Sequence, residues 1–200
     1  MRVPSVMALT LGLIVLVPGC GGAKSAVSDT VSCSNVTGTI DFVPTLKGTT
    51  VTGSANETVE FRVIGTRCSA SGPNVVSVSA ASMVGTITGG TARCTGILKS
   101  SRVRATVTWT PRSLGRSVLT FAPRTNLESG PDGGAGLTLA GNARVTGAFH
   151  GSRGRSTSTL NLFSDETLSQ ILSDCSSTPG LASLRVTCGD LMIVSGFAFM

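Results

Sequence analysis

The most constraining feature of this chain is a strict alternation of apolar and polar residues over positions 102–110. The apolar side chains of that stretch belong to Val103, Ala105, Val107 and Trp109. Successive side chains of a β-strand point to opposite faces, so a period of two places them all on one side. We therefore predict a strand here that buries one face and exposes the other.

The same alternation recurs along the chain between clusters of turn-forming residues. Residues 58–64 place Val59, Phe61 and Val63 on one face. Gly, Pro, Ser, Asn and Asp concentrate in clusters such as 69–74 and 128–136, which are typical of turns. Segments of this kind predict an all-β fold of about ten short strands, arranged as an antiparallel β-sandwich or a small barrel.

One short C-terminal helix is predicted to interrupt the strand pattern. Ser164 is a good N-cap residue, and the two acidic residues after it would favour the positive end of a helix dipole. An apolar stripe at helical spacing follows, formed by Leu168, Ile171 and Leu172. The helix is expected to end near Cys175.

An apolar run near the amino terminus differs in character from the rest of the chain. Arg2 precedes this run, which extends from Val6 to Val17. It is shorter than a membrane-spanning helix, which needs about 20 apolar residues, and it has the length of a secretory signal. An ordinary secretory signal would be cleaved after a small residue, near Ala23 or Ala26.

The four residues Val17-Pro18-Gly19-Cys20 follow a more specific pattern. They resemble the lipobox of bacterial lipoproteins, in which an aliphatic residue and a small residue precede a cysteine. Pro18 departs from the usual small or branched residue at its position. The resemblance implies that the Cys20 thiol is acylated and that the chain is cleaved just before it.

These features predict an exported protein of three parts. Residues 1–19 form a signal peptide, 20–30 carry the lipidated cysteine and a flexible tether, and 31–200 form a single β domain. The expected location is the outer face of the cell membrane, where the lipid anchors the domain. Secretion without an anchor is the alternative.

Five further cysteines indicate disulfide bonds rather than a metal site. They are Cys33, Cys68, Cys94, Cys175 and Cys188. None has the close spacing of metal ligands, and the chain has a single histidine. The favoured pairing joins Cys68 to Cys94, and Cys33 is then expected to join Cys175 or Cys188. One thiol stays free if Cys20 is acylated, because an odd number of cysteines remains.

The charge pattern suggests an anionic partner. Basic residues outnumber acidic ones by 16 to 10, giving a formal net charge of +6. Between Arg93 and Arg155 there are ten Lys or Arg residues against only Glu128 and Asp132. Such a bias can attract an anionic component of the cell envelope, although isolated surface charges are the alternative explanation. A single Trp and no Tyr leave few aromatic rings for base stacking, and export argues against nucleic acid.

The chemistry-bearing residues form no recognisable catalytic pattern. No serine lies in a Gly-x-Ser-x-Gly motif, and His150 is the single candidate base. His150 is interpreted as a surface residue at a strand end, although Asp165 or a free cysteine could partner it. Asp165 and Glu166 are explained by helix capping. The chain is therefore predicted not to be an enzyme, with no catalytic, cofactor-binding or metal-binding residues.

Beyond the lipobox, the β domain is similar to small, exported Thr/Gly-rich β proteins of GC-rich Gram-positive bacteria. The likeness spans roughly Cys33 to Cys188, with Cys68 after a strand end and Cys94 before a hydrophobic segment. That group implies no activity. The expected function is an exported, lipid-anchored envelope domain with a non-catalytic binding or structural role. The alternatives are a carrier of a small or hydrophobic molecule inside a barrel, and an enzyme of unrecognised type.

Overall fold

The computed structural model describes residues 29–47, 56–72, 76–91, 101–129, 133–150, 156–177 and 179–195. Within these ranges the chain is almost entirely β-strand, with one α-helix. The elements are β1 Asp29–Leu46, β2 Asn56–Ser71, β3 Ala80–Thr91, β4 Arg102–Thr110, β5 Arg116–Phe121, β6 Arg124–Ser129, β7 Ala135–Gly147, β8 Ser156–Phe163, α1 Leu168–Ser176, β9 Leu181–Val186 and β10 Cys188–Ser195.

The strands close into an antiparallel barrel. Pairing runs in the order β1-β2-β3-β4-β5-β7-β8-β10, and β10 pairs in turn with β1. The first and last strands therefore form the seam, with Asp29 opposite Ser195. The predicted all-β class is confirmed, and of the two predicted architectures the barrel is correct. The sandwich is wrong because one continuous ring of hydrogen bonds joins these strands.

Two short strands, β6 and β9, each lie end to end with the strand that is adjacent in the sequence. β6 pairs with β7 directly beyond β5, and β9 pairs with β1 directly beyond β10. The register is continuous in both cases, since Phe121 faces Ala143 and Arg124 faces Ala140. These strands lengthen the wall of the barrel without adding to its circumference.

The barrel has two different ends. At the first, called the Trp109 end, β1 begins, β4 ends and β10 ends. At the second, called the helix end, β8 ends at Phe163 and α1 follows. Because consecutive barrel strands alternate in direction, the connections after β2, β4 and β7 all lie at the Trp109 end.

The interior is filled by apolar side chains from every second position of the strands. On β4 the predicted alternation is confirmed: Val103 and Val107 are buried, while Arg102 and Arg104 are exposed. The largest interior side chains are almost inaccessible to solvent: Trp109, Phe61, Leu46, Ile87, Leu119, Leu139 and Ile193. Contacts across the barrel between these side chains form its core.

Gly85 on β3 makes room for the ring of Phe61. Phe61 on β2 and Ala105 on β4 are its direct neighbours in the sheet. A Cβ atom at Gly85 would overlap the ring of Phe61 and would lie 2.9 Å from the Cβ of Ala105. Protein interiors are close-packed, so an added methyl group has no free volume here.

Gly85→Ala is therefore expected to lower the free energy of unfolding by about 1–3 kcal/mol through overpacking. The measurement is urea denaturation followed by far-UV circular dichroism. Ser82→Ala, at an exposed position of the same strand, is the matched control and should leave the midpoint nearly unchanged. The combination of Phe61→Leu with Gly85→Ala should recover part of the loss, and equal midpoints for Gly85→Ala and Ser82→Ala would contradict this packing.

The helix begins later than the sequence predicted. Its N-cap is Thr167, whose hydroxyl accepts from the backbone N–H of Gln170, while the Gln170 side chain accepts from the Thr167 N–H. This reciprocal capping box satisfies two free N–H groups. Ser164 instead accepts a hydrogen bond from the Glu166 N–H in the preceding turn. The prediction of Ser164 as N-cap was therefore wrong.

The disulfide pairing also differs from the prediction. Cys33 on β1 faces Cys68 on β2 in register, and the two are bonded. This bond rules out both expected pairings, Cys68 with Cys94 and Cys33 with Cys175 or Cys188. Cys175 is also disulfide-bonded, and Cys188 is free. Cys20 and Cys94 lie outside the described residues.

Candidate functional site

The interior at the Trp109 end is closed by a buried hydrogen-bond network. The Trp109 indole N–H donates to the Ser117 hydroxyl at 2.8 Å, and that hydroxyl donates to the Ala148 carbonyl. The Phe149 ring meets the Trp109 ring edge to face, with centroids 5.0 Å apart. The Ser195 hydroxyl, at the end of the last strand, donates to the Phe149 carbonyl at 2.6 Å. These contacts fill this end of the barrel with side chains.

The helix covers the opposite end. Ile171 and Cys175 of α1 are buried against the barrel. A cavity of about 20 Å³ lies beneath the helix, between Ile171, Ile40 and Leu162. Such a volume holds about one water molecule. This cavity is too small for a carried ligand.

Backbone hydrogen bonds attach the segment before α1 to the start of β7. Ala135 donates its N–H to the Glu166 carbonyl at 2.7 Å, and Ser164 donates its N–H to the Ala135 carbonyl at 2.8 Å. Burial raises the pKa of the Glu166 carboxyl, and repulsion from Asp174 and Asp165 raises it further. Folding therefore favours the protonated form of this carboxyl. As the pH rises above the ordinary pKa of a glutamate, this preference makes the folded state less stable relative to the unfolded chain.

The candidate catalytic residues lie far apart. His150 is exposed at the Trp109 end, where its Nδ1 lies 2.7 Å from the Gly147 carbonyl oxygen. Asp165 follows β8 at the helix end, and the free Cys188 pairs with Phe163 at that end. The length of β8 separates His150 from both. His150 is thus an exposed residue just beyond a strand end, as predicted.

Within the described ranges of the chain, no three His, Cys, Asp or Glu residues are grouped closely enough to hold a metal ion. No helix there is long and apolar enough to cross a membrane.

An open groove of about 530 Å³ runs beside β9. It is lined by Thr37, Gly38 and Thr39 of β1 and by residues 183–187. Arg185 is the one charged side chain among these lining residues. The groove therefore offers hydroxyl and backbone groups but no grouped acid, base or nucleophile.

A row of basic residues crosses the outer surface of the barrel. Arg104 on β4 faces Thr120 on β5, and Thr120 faces Arg144 on β7. Arg102 lies two residues from Arg104 on the same exposed face of β4. We call Arg102, Arg104 and Arg144 the arginine wall. Two strand spacings, roughly 10 Å, separate the backbones of Arg104 and Arg144.

The arginine wall is not neutralised by neighbouring carboxylates. Between described side chains, one ion pair lies within 4.0 Å, and it joins Arg62 to Glu60 at 3.4 Å. Thr86 on β3 and Thr120 on β5 face Arg104, and Thr106 lies two residues beyond it on β4; none of the three carries a charge. The exposed guanidinium groups are therefore available to an external anion.

A second basic cluster surrounds the Trp109 end. We call its members, Arg67, Arg112, Arg116 and His150, the arginine rim; all of them are exposed. Backbone hydrogen bonds join the segments that carry them. Cys68 donates to the Ser79 carbonyl at 3.2 Å, Ser79 donates to the Thr110 carbonyl at 3.0 Å, and Ala148 donates to the Arg116 carbonyl at 2.9 Å. These bonds join the ends of β2, β3 and β4 to one another, and the end of β7 to the start of β5, at the Trp109 end.

Comparison with protein-family models, characterised proteins and solved structures finds no match to this chain. The candidate sites therefore rest on the geometry of this molecule.

Sequence reasoning found the excess of basic residues but did not divide it into a wall and a rim. The positions of the rim residues in the sequence could have indicated the arginine rim. Arg67 lies near the end of β2 and Arg112 just beyond the end of β4, and an antiparallel meander brings the ends of alternate strands to the same side.

Proposed function

We propose that this chain is an exported, lipid-anchored protein of the cell envelope that acts by non-catalytic binding through its outer surface. The resemblance of Val17-Pro18-Gly19-Cys20 to a lipobox supports the export and the anchor. The observation that carries the binding role is the arginine wall, a row of exposed guanidinium groups without carboxylate partners among the described side chains.

An anionic polymer of the envelope fits the chemistry of the arginine wall. Guanidinium groups bind phosphate or carboxylate through paired N–H donors. Arg104 and Arg144 lie on either side of Thr120, whose hydroxyl can contribute a further hydrogen bond. Charges arranged over several strands suit an extended polyanion better than a small, enclosed ligand.

The carrier function receives less support from the interior. Barrels of eight strands are just wide enough for side chains to fill or for one small ligand. Here Phe61, Trp109 and Leu139 occupy the inside, and the cavity under α1 measures about 20 Å³.

Photo-crosslinking in intact cells tests the binding role. A photoreactive residue replaces Thr120 at the centre of the arginine wall, and a second chain carries it instead at Met192, which is 42% exposed on β10. We expect an anionic polymer to be recovered from the Thr120 position and not from the Met192 position. Adding Arg104→Ser and Arg144→Ser should abolish recovery, whereas Lys at both positions should retain it.

Two results would contradict the binding role. One is equal recovery from the two positions, and the other is unchanged recovery after both Ser substitutions. The anchor is tested separately by the intact mass of the mature protein, which should begin at Cys20 and carry acyl groups. A mature chain that begins after Ala23 or Ala26 without acyl mass would contradict lipidation and leave the binding result unaffected.

A further inference from the structure

We infer that the arginine rim docks against the anionic lipid headgroups of a membrane, so that the barrel stands with its Trp109 end on the bilayer. The partner is a lipid surface rather than the polymer that the arginine wall would bind. The inference builds on the proposed anchor at Cys20, because it states which end of the domain the anchor holds to the membrane.

The direction in which the chain enters the barrel supports this orientation. β1 begins at the Trp109 end, where Thr30 pairs with both Ser71 and Val194. Eight residues, 21–28, separate Cys20 from Asp29. Even fully extended, a segment of that length reaches only about 30 Å. An acylated Cys20 would therefore keep the Trp109 end closer to the bilayer than the helix end.

The charge at this end has the sign that an anionic surface requires. Arg67, Arg112 and Arg116 are exposed there, and none of them lies within ion-pair distance of a described carboxylate. Juxtamembrane basic residues of this kind are attracted by the negative potential of anionic lipids.

Most acidic residues of the described chain lie nearer the helix end, although Asp29, at the start of β1, lies at the Trp109 end. Asp165, Glu166 and Asp174 accompany α1 at the helix end. Asp41 on β1 and Glu60 on β2 face each other in the half of the barrel nearer the helix end. Among the described residues, acidic side chains are therefore concentrated toward the helix end, and the Trp109 end is the more positive of the two.

Apolar groups at the same end complete an interfacial surface. Val76, in the connection between β2 and β3, is 42% exposed, although a residue of its size is usually buried. Leu114 is partly buried in the turn between Arg112 and Arg116. Basic and apolar side chains side by side are suited to the headgroup region, where the charge meets phosphate and the apolar group enters the acyl boundary.

The test is sedimentation of the chain beginning at Gly21 with lipid vesicles. That chain keeps the whole barrel, because the seam closes within Asp29–Ser195, and it lacks Cys20, so no acyl group contributes. We expect it to sediment with vesicles of phosphatidylcholine mixed with phosphatidylglycerol and not with phosphatidylcholine alone. Arg112→Ser with Arg116→Ser should weaken binding about 30-fold, roughly fivefold for each arginine.

The matched control is Arg104→Ser with Arg144→Ser, which removes the same charge from the arginine wall. This control should bind the vesicles as the unsubstituted chain does. Equal loss in both variants, equal sedimentation with both kinds of vesicle, or no sedimentation would each overturn the inference. Because the tested chain has no acyl group, these outcomes do not depend on whether Cys20 is lipidated, and polymer binding at the arginine wall is measured separately by the crosslinking at Thr120. Circular dichroism of each variant verifies that the barrel is folded.

Discussion

Trp109→Ala is expected to lower the free energy of unfolding by about 3–5 kcal/mol, because it removes the largest buried side chain of the barrel. The indole is wholly buried, so its loss leaves a cavity that the rigid wall can only partly close. It also removes the edge-to-face contact with Phe149 and the hydrogen bond to Ser117. Urea denaturation followed by far-UV circular dichroism measures the change without relying on Trp fluorescence.

Two other substitutions separate the contributions of volume and hydrogen bonding. Ser117→Ala keeps the indole but leaves its N–H without an acceptor, which should cost about 1–3 kcal/mol. Val84→Ala removes a side chain that is 52% exposed on the outer face of β3, and it should change stability by less than about 0.5 kcal/mol. A Trp109→Ala chain as stable as Val84→Ala would show that the Trp109 end is not packed as described.

Local sequence patterns were sufficient to predict β4 and the all-β class. The alternation in 102–110 is confirmed residue by residue, because burial on one face of a strand requires a period of two. Closure into a barrel could not be predicted in the same way. It depends on the pairing of β1 with β10, elements that are distant in sequence and whose local patterns would also fit a sandwich.

Two segments show that a residue type has more than one structural use. Gly-Asn pairs are typical of turns, but Gly141-Asn142 lies inside β7, where Gly141 pairs with Ser158. A Cβ at Gly141 would lie 3.0 Å from the Ala122 carbonyl oxygen, so glycine permits a close approach there rather than a turn. Residues 76–79 alternate apolar and polar side chains as a strand does, but they connect β2 to β3.

The position of the arginine wall depends on strand register and could not be derived from composition. The basic excess between Arg93 and Arg155 is visible in the sequence. That Arg104 and Arg144 share one row, with Thr120 between them, follows only from the pairing of β4, β5 and β7. A shift of one residue in either pairing would turn one arginine toward the core, so composition alone could not identify this surface.

Replacing both Cys33 and Cys68 by Ala is expected to lower the free energy of unfolding by about 4 kcal/mol. The bond joins residues 35 positions apart, and its loss gives the unfolded chain the entropy of an open loop. Both side chains are buried, so the change also removes apolar contacts within the core. Urea denaturation without reducing agent measures the loss while leaving the bond at Cys175 intact.

The matched control is Cys188→Ala, because Cys188 is free and only partly buried. Its expected effect is less than about 0.5 kcal/mol. The position of the disulfide makes a second, local prediction. Cys33 lies beside Leu191 of β10 at the seam, so loss of the bond should speed amide hydrogen exchange at the β1–β10 pairing more than at β4–β5. An equal increase in exchange rate at both pairings would contradict this local prediction. It would mean that the bond acts only on the unfolded chain and does not additionally stabilise the β1–β10 pairing.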